Sequence, residues 1–191
     1  MAPHTRPDDQ KTQSREEYAI VLDIILSGKQ SFKDTEIAQA VGVNSYTLLE
    51  LVPKQGITLK TNQWVYIGDG KREEVQYIKR AIPSHKLSPS AKSELLFALI
   101  EIVNYRESEF VDFFNRAGPI TIRKHSLELV SGVGKKHLSE LLAERDSKPF
   151  ESFEDIRNRC SFLHEPEKAI AQRIEKEIEG KDDFKFFIKR Q

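Results

Sequence analysis

The sequence predicts a mixed α+β chain in two parts, a small β-barrel followed by an all-α unit. Three observations predict it. Short apolar runs of strand period, separated by turn residues, fill positions 16–84. Apolar stripes of helical period take over from residue 89. A Gly132-Val133-Gly134 turn then stands between two short apolar stripes. The chain has 191 residues, 38% of them hydrophobic and 11 of them Phe, so a true core can form and global disorder is excluded. Basic and acidic residues balance at 30 each, which argues against a partner held by net charge alone but leaves room for a local patch.

Residues 1–15 hold no large apolar residue after Met1 and are expected to form a flexible tail. The barrel is expected over 16–84. Tyr18, Ile20, Leu22, Ile24 and Leu26 recur at period two, thickened by Val21 and Ile25. A strand covered on both faces has this pattern; a helix is the competing reading. Thr35 to Val41 reads as a short helix or loop insert. Tyr46 to Val52 is a second strand, stopped by Pro53 and Gly56. Trp64 to Ile67 is a third, closed by Gly68-Asp69-Gly70, and Glu74 to Ile82 a fourth, with Val75, Tyr77 and Lys79 on one face. Short strands with turns between them suggest a small closed barrel.

Residues 85–118 are expected to connect the two parts through helices. Ser88 is a good N-cap and Pro89 a good first helical residue. Leu95, Leu96, Leu99, Ile100 and Val103 make one apolar stripe. Phe110, Phe113 and Phe114 make another, ended by Gly118-Pro119 and favoured as core over a stacking platform.

Residues 119–180 carry the functional signal. Leu127, Leu129 and Val130 belong to a first short helix, and Lys135 opens a second, with Leu138, Leu141 and Leu142 on its buried side. Two glycines permit positive φ and close backbone approach. The amides of Gly134, Lys135 and Lys136 would then point outward at a helix N-terminus, where free N–H groups and the helix dipole favour an anion. Lys135 and Lys136 add positive charge, so the guest is read as a phosphate. A nucleotide P-loop is ruled out, because it needs Gly at 129 and Ser or Thr after Gly-Lys. A purely structural αα-hairpin and a protein-interaction module stay open.

The run Val130-Ser131-Gly132-Val133-Gly134 resembles the helix-hairpin-helix family, departing from it at Ser131, where proline is usual. Lys148 to Ile156 resembles the link between paired hairpins, with Ser152 and Asp155 at capping spacing. A second pair is then expected as Phe153–Arg159 and Pro166–Ile178, burying Ala169, Ile170, Ile174 and Ile178. Its loop, Ser161 to Glu165, lacks glycine and is expected to be a structural partner and a poor phosphate grip. Together with Leu48 to Lys54, Trp64 to Gly68 and Phe113 to Thr121, these stretches resemble an uncharacterised archaeal family with an OB-type or S1-like barrel before a tandem helix-hairpin-helix. The resemblance implies nucleic-acid binding, RNA favoured over DNA. It also makes Tyr46, Trp64, Tyr66 and Tyr77 candidate stacking aromatics, with Lys54, Lys60, Lys71, Arg72, Lys79 and Arg80 along a groove. Filling of the barrel or the domain interface stays open for the aromatics, and is favoured for Trp64, and a solvated surface stays open for the cations.

The nucleic-acid contacts expected are Arg123, Lys124, Ser131, Gly132, Val133, Gly134, Lys135, Lys136 and His137, with Tyr66, Lys54 and Arg72 as candidate barrel contacts. His4, His85, His125, His137 and His164 show no metal-motif spacing, and no Gly-x-Ser-x-Gly elbow is present, so neither an enzyme nor a cofactor nor a metal is expected. Cys160 stands alone, which excludes an intramolecular disulfide and fits a reducing compartment. No apolar run approaches the roughly 20 residues of a membrane span, so a cytoplasmic protein with no membrane partner is expected. A protein scaffold built from the same two modules is the rival reading. Residues 181–191, with Phe184, Phe186, Phe187 and Ile188, are expected to dock, with a strand as one option.

Overall fold

Five strands form one antiparallel sheet in the computed structural model, which describes residues 16–27 and 35–188. The tail expected over 1–15 lies outside the described residues. The strands are β1 (Tyr18–Ser27), β2 (Thr35–Gly42), β3 (Leu48–Pro53), β4 (Trp64–Tyr66) and β5 (Val75–Ala81), in the order β4-β1-β2-β3-β5. The alternation along β1 sends Ile20 and Leu22 to one apolar core and Ala19 and Val21 to another, as a strand covered on both faces requires. A bulge between Val21 and Asp23 bends the strand, and Asp23 there accepts a bond from the Ser88 hydroxyl (2.6 Å).

Three expectations change. Thr35 to Val41 is neither helix nor insert but β2, a central strand paired with β1 and β3. Ile37, Ala38, Ala40 and Val41 are all buried, so no polar alternation marks the strand. Buried Gln39 is satisfied by donating to the Lys86 carbonyl (3.0 Å) and accepting from the Ser88 amide (2.8 Å). The second strand starts at Leu48, because Tyr46 sits in a turn at φ 59°. The sheet is also not a closed barrel. It curls into a half-barrel whose edge strands β4 and β5 are not hydrogen-bonded neighbours. A side-chain bond joins the two edges, Gln63 Nε2 donating to Glu74 (3.3 Å), while Arg72 Nε donates to the Gly68 carbonyl (2.9 Å) within the turn that connects them.

The helical part follows as α1 (Pro89–Tyr105), α2 (Glu107–Arg116), the two-stranded hairpin β6 (Pro119–Thr121) and β7 (Lys124–His125), a 3-10 turn over Ser126–Leu129, α3 (Lys135–Ser147), α4 (Phe153–Arg159) and α5 (Pro166–Ile178). Ser88 caps α1 by accepting from the Ala91 amide (3.0 Å), with Pro89 in the first turn. Leu95, Leu99, Ile102 and Val103 of α1 are buried, each contributing about 1.5–3 kcal/mol of apolar burial. One cluster runs from Ile20 and Leu22 through α1 to Leu141, Ile156 and Ile174. The segment expected as a connector is therefore core to both halves. Phe110 and Phe114 are buried within it.

The C-terminal segment docks, though not as a strand among the described residues. The Phe187 ring packs edge-on against Phe110 (5.5 Å) and Phe113 (5.0 Å). The amides of Phe186, Phe187 and Ile188 all donate to the Glu177 carboxylate at 3.0–3.1 Å. Arg173 Nε binds the same carboxylate (3.0 Å), and its other nitrogens reach Asp182 (2.6 Å) and the Phe184 carbonyl. Among the described residues, no helix is long and apolar enough to cross a membrane.

Candidate functional site

The hairpin Val130–Lys135 is built by one turn and two buried anchors. The Val133 amide donates to the Val130 carbonyl (3.1 Å), and both valines are buried beneath the loop. Gly132 at the turn has φ +86°, where any other residue would be strained. A Cβ there would meet Leu163 Cδ1 at an ordinary 3.8 Å, so backbone angle rather than crowding calls for glycine. Helix α3 begins as expected at Lys135, with Gly134 as its N-cap. Its ladder starts with Leu138 N to Gly134 O (2.8 Å), which leaves the amides of Lys135, Lys136 and His137 ahead of the ladder. Gly134 has no side chain to cap them, no side-chain cap bond is made, and both lysines are exposed.

The second hairpin repeats this geometry 30 residues later. The Leu163 amide donates to the Cys160 carbonyl (2.9 Å), and Cys160 and Leu163 are buried where Val130 and Val133 are. Burial pushes the Cys160 thiol up to about 11, so it is an inert core residue. The chemistry at the loop differs. Phe162 stands where the first hairpin has Gly132, and at the helix start Glu165 takes the place of Gly134 and Pro166 that of Lys135, which removes an amide. Glu165 is the helix N-cap and pairs with Lys168 (3.0 Å). One hairpin is basic and open, the other acidic and partly blocked. The link between them is clamped on α2: Asn115 makes two 2.8 Å bonds with the Phe150 backbone, and the Phe153 amide donates to Glu107 (2.6 Å).

The other expected contacts are placed unevenly. His137 Nδ1 lies 2.9 Å from the Gly132 carbonyl, and the ring stacks on Phe162 (4.3 Å, 8°), so His137 braces the first hairpin against the second. His125 accepts from the Leu127 amide (3.2 Å) and caps the 3-10 turn; burial, then the Arg145 charge, hold its imidazolium below the usual range. Arg123 is exposed at the turn of the β6–β7 hairpin, while Lys124 lies over the Phe184 ring (5.3 Å), toward the C-terminal segment.

On the sheet, most of the candidates serve the fold. Tyr66 folds over its own turn and accepts from the Gly70 amide (3.0 Å). A Cβ on Gly68 would lie 2.5 Å from the Tyr66 hydroxyl, so that close approach requires glycine. Lys54 Nζ donates to the Arg72 carbonyl, and Lys79 and Arg80 face Glu50. Trp64 packs on α1 against Tyr105 (5.1 Å) and bonds Glu101. Buried Tyr46 accepts a bond from Arg106 (3.0 Å), and burial raises its phenol to about 12. Of the four candidate stacking aromatics only Tyr77 presents about half of its surface, 48%, to solvent. Among the described residues, no three His, Cys, Asp or Glu side chains gather where they could hold a metal ion.

A curled five-stranded antiparallel half-barrel sheet with five α-helices, a mixed α+β fold, defines the class of this protein among the described residues. The family model described as a protein of unknown function, DUF655, matches residues 15–189, so the chain belongs to that family. The uncharacterized protein MJ0038 of Methanocaldococcus jannaschii is 40% identical over 185 residues, covering 96% of this chain and 84% of that protein. The crystal structure of Af1531 from Archaeoglobus fulgidus is also 40% identical, with a TM-score of 0.82 over 90% of this chain and 99% of that one. Both relatives are archaeal, as the resemblance implied.

Proposed function

We propose that this chain is a non-enzymatic nucleic-acid-binding protein whose first hairpin, Ser131–Lys136, grips the phosphate backbone without reading sequence. The reading treats the helical part as a tandem helix-hairpin-helix and the half-barrel as an OB-like module engaging a neighbouring single strand, RNA in preference to DNA. One observation carries it: α3 opens on an uncapped glycine with two exposed lysines in its first turn. Amides ahead of a helix ladder and the positive end of the helix dipole favour an anion. The acidic second hairpin supports the assignment by contrast, since Glu165 and Pro166 make the same turn a poor phosphate site. A protein scaffold is the rival, favoured by Phe97 and Tyr105, which are exposed on α1.

Salt dependence distinguishes the two. Fluorescence anisotropy of labelled single-stranded RNA, duplex RNA and duplex DNA is expected to show binding that weakens steeply with ionic strength, tightest on single-stranded RNA. Each phosphate engaged on a single strand contributes about −0.7 to the log–log slope. Absence of binding to every probe at low salt, by folded protein, overturns the reading in favour of the scaffold.

A further inference from the structure

We propose that the exposed face of α1 beside β4 is a docking site for the arginine side chains of a basic, extended segment of a partner protein. Phe97, Glu101 and Tyr105 recur every fourth residue along α1 and so share one face, over a rise of about 12 Å. Phe97 exposes 64% of its surface and Tyr105 71%. Trp64 of β4 joins them: its ring meets Tyr105 edge-on (5.1 Å), and its indole N–H donates to the Glu101 carboxylate. Asn62, just ahead of β4, donates to Glu94 of α1 (3.3 Å) and ties a second acid to the same border of helix and sheet.

The chemistry of this face selects a cation. Neighbouring exposed rings leave apolar area uncovered, the mark of an interaction surface. Ring faces carry partial negative charge and attract cations, tryptophan most strongly. Glu94 and Glu101 add formal negative charge, which repels a phosphate. Lys92 is the one Lys or Arg of α1, and it precedes Glu101 by nine residues, about two and a half turns. It therefore stands on the opposite side of the helix, where it lines a cavity with Glu175 and Glu179. Arginine suits the face better than lysine, because a planar guanidinium stacks on a ring while its fork reaches a carboxylate. Glu101 serves such a guest while holding the Trp64 indole, since a carboxylate offers about four lone-pair sites. Length sets the form of the partner. Alternate side chains of an extended segment recur about every 6.4–6.8 Å, so three arginines at every second position span the row from Phe97 to Tyr105. A protein partner here is compatible with nucleic acid at the first hairpin, and neither depends on the other.

Trp64 is the single tryptophan of the chain, so its fluorescence reports on this face alone. The probe is a dye-labelled Gly-Arg-Ala-Arg-Ala-Arg-Gly peptide, beside peptides with lysine or glutamate in place of arginine. The arginine peptide is expected to change Trp64 emission saturably and to bind more tightly than the lysine peptide, with the glutamate peptide inert. Its affinity is expected to be the same in Lys135→Glu/Lys136→Glu. Two variants separate charge from stacking by peptide anisotropy. Glu94→Gln/Glu101→Gln keeps the rings and Phe97→Ser/Tyr105→Ser keeps the acids, and each is expected to weaken binding by about tenfold or more. No saturable change in wild type, equal affinity for the arginine and lysine peptides, or undiminished binding by folded Phe97→Ser/Tyr105→Ser overturns the proposal. A wild-type dimer in analytical ultracentrifugation that Phe97→Ser/Tyr105→Ser dissolves overturns it as well, and assigns the face to a second copy of this chain.

Discussion

Replacing Glu177 with alanine is expected to destabilise the protein by about 3–5 kcal/mol, the usual cost of removing one partner from a buried ion pair. Arg173 and Glu177 expose 1% and 0% of their side chains. Without the carboxylate, Arg173 keeps Asp182 and the Phe184 carbonyl but loses its most buried partner. The amides of Phe186, Phe187 and Ile188 lose their shared acceptor at the same time. Denaturant unfolding measures the loss. Hydrogen exchange locates it, because these three amides are expected to lose protection before the sheet does. Unchanged protection at 186–188 would refute the latch. Arg173→Met/Glu177→Leu is expected to recover much of the stability, since no buried charge is left unpaired, yet to leave the segment undocked.

The second large effect concerns binding alone. Lys135→Glu/Lys136→Glu is expected to weaken nucleic-acid affinity by on the order of 10- to 100-fold for each lysine–phosphate bond removed, from about 1.5–3 kcal/mol per charge-assisted bond. The log–log salt slope on single-stranded RNA is expected to become shallower by about 1.4, the share of two phosphates. Stability moves the other way. Both side chains are exposed, and acids in the first helical turn are favoured by the dipole, so the melting temperature is expected to hold or rise. A parallel fall in affinity and melting temperature would mean that the fold, not the grip, had been damaged.

The parts of this fold that were legible in the sequence are those set by local chemistry. Helices α4 and α5 run over the expected Phe153–Arg159 and Pro166–Ile178, because Ser152 and Pro166 mark their starts within a turn of chain. Helix α3 starts at Lys135 for a similar reason, after Gly134. Strand β2 was not legible: with neighbours on both sides and cores on both faces, its Ile37-Ala38-Gln39-Ala40 run shows no alternation. Closure of the sheet was not legible either, because pairing of β4 with β5 depends on long-range geometry that turn residues do not encode. The docking of Phe184 to Ile188 could be read from composition, but its anchor could not. Arg173 and Glu177 look like a surface i,i+4 pair. Their positions, three and seven after buried Ile170, place them on the apolar stripe of α5, and that spacing was the available signal.

At the candidate site, sequence located the hairpin and its lysines, while the role of His137 needed the structure, since its partner Phe162 lies 25 residues away in the second loop. The same holds for Lys54, whose bond to the Arg72 carbonyl joins segments that the sheet brings together, whereas Tyr66 and Arg72 bond to the backbone of the single turn that follows β4.

Gly134→Asp tests the central claim most directly. A Cβ at Gly134 meets nothing within 4 Å, and its φ of −84° suits any residue. An aspartate there would cap α3 by accepting from the Lys136 or His137 amide, stabilising the helix by a few tenths of a kcal/mol to about 1 kcal/mol. The same carboxylate would occupy the amides assigned to phosphate and repel it. Anisotropy on single-stranded RNA beside a thermal melt is therefore predicted to show affinity falling while the melting temperature holds or rises. Affinity equal to wild type in the capped variant would contradict phosphate binding at the start of α3.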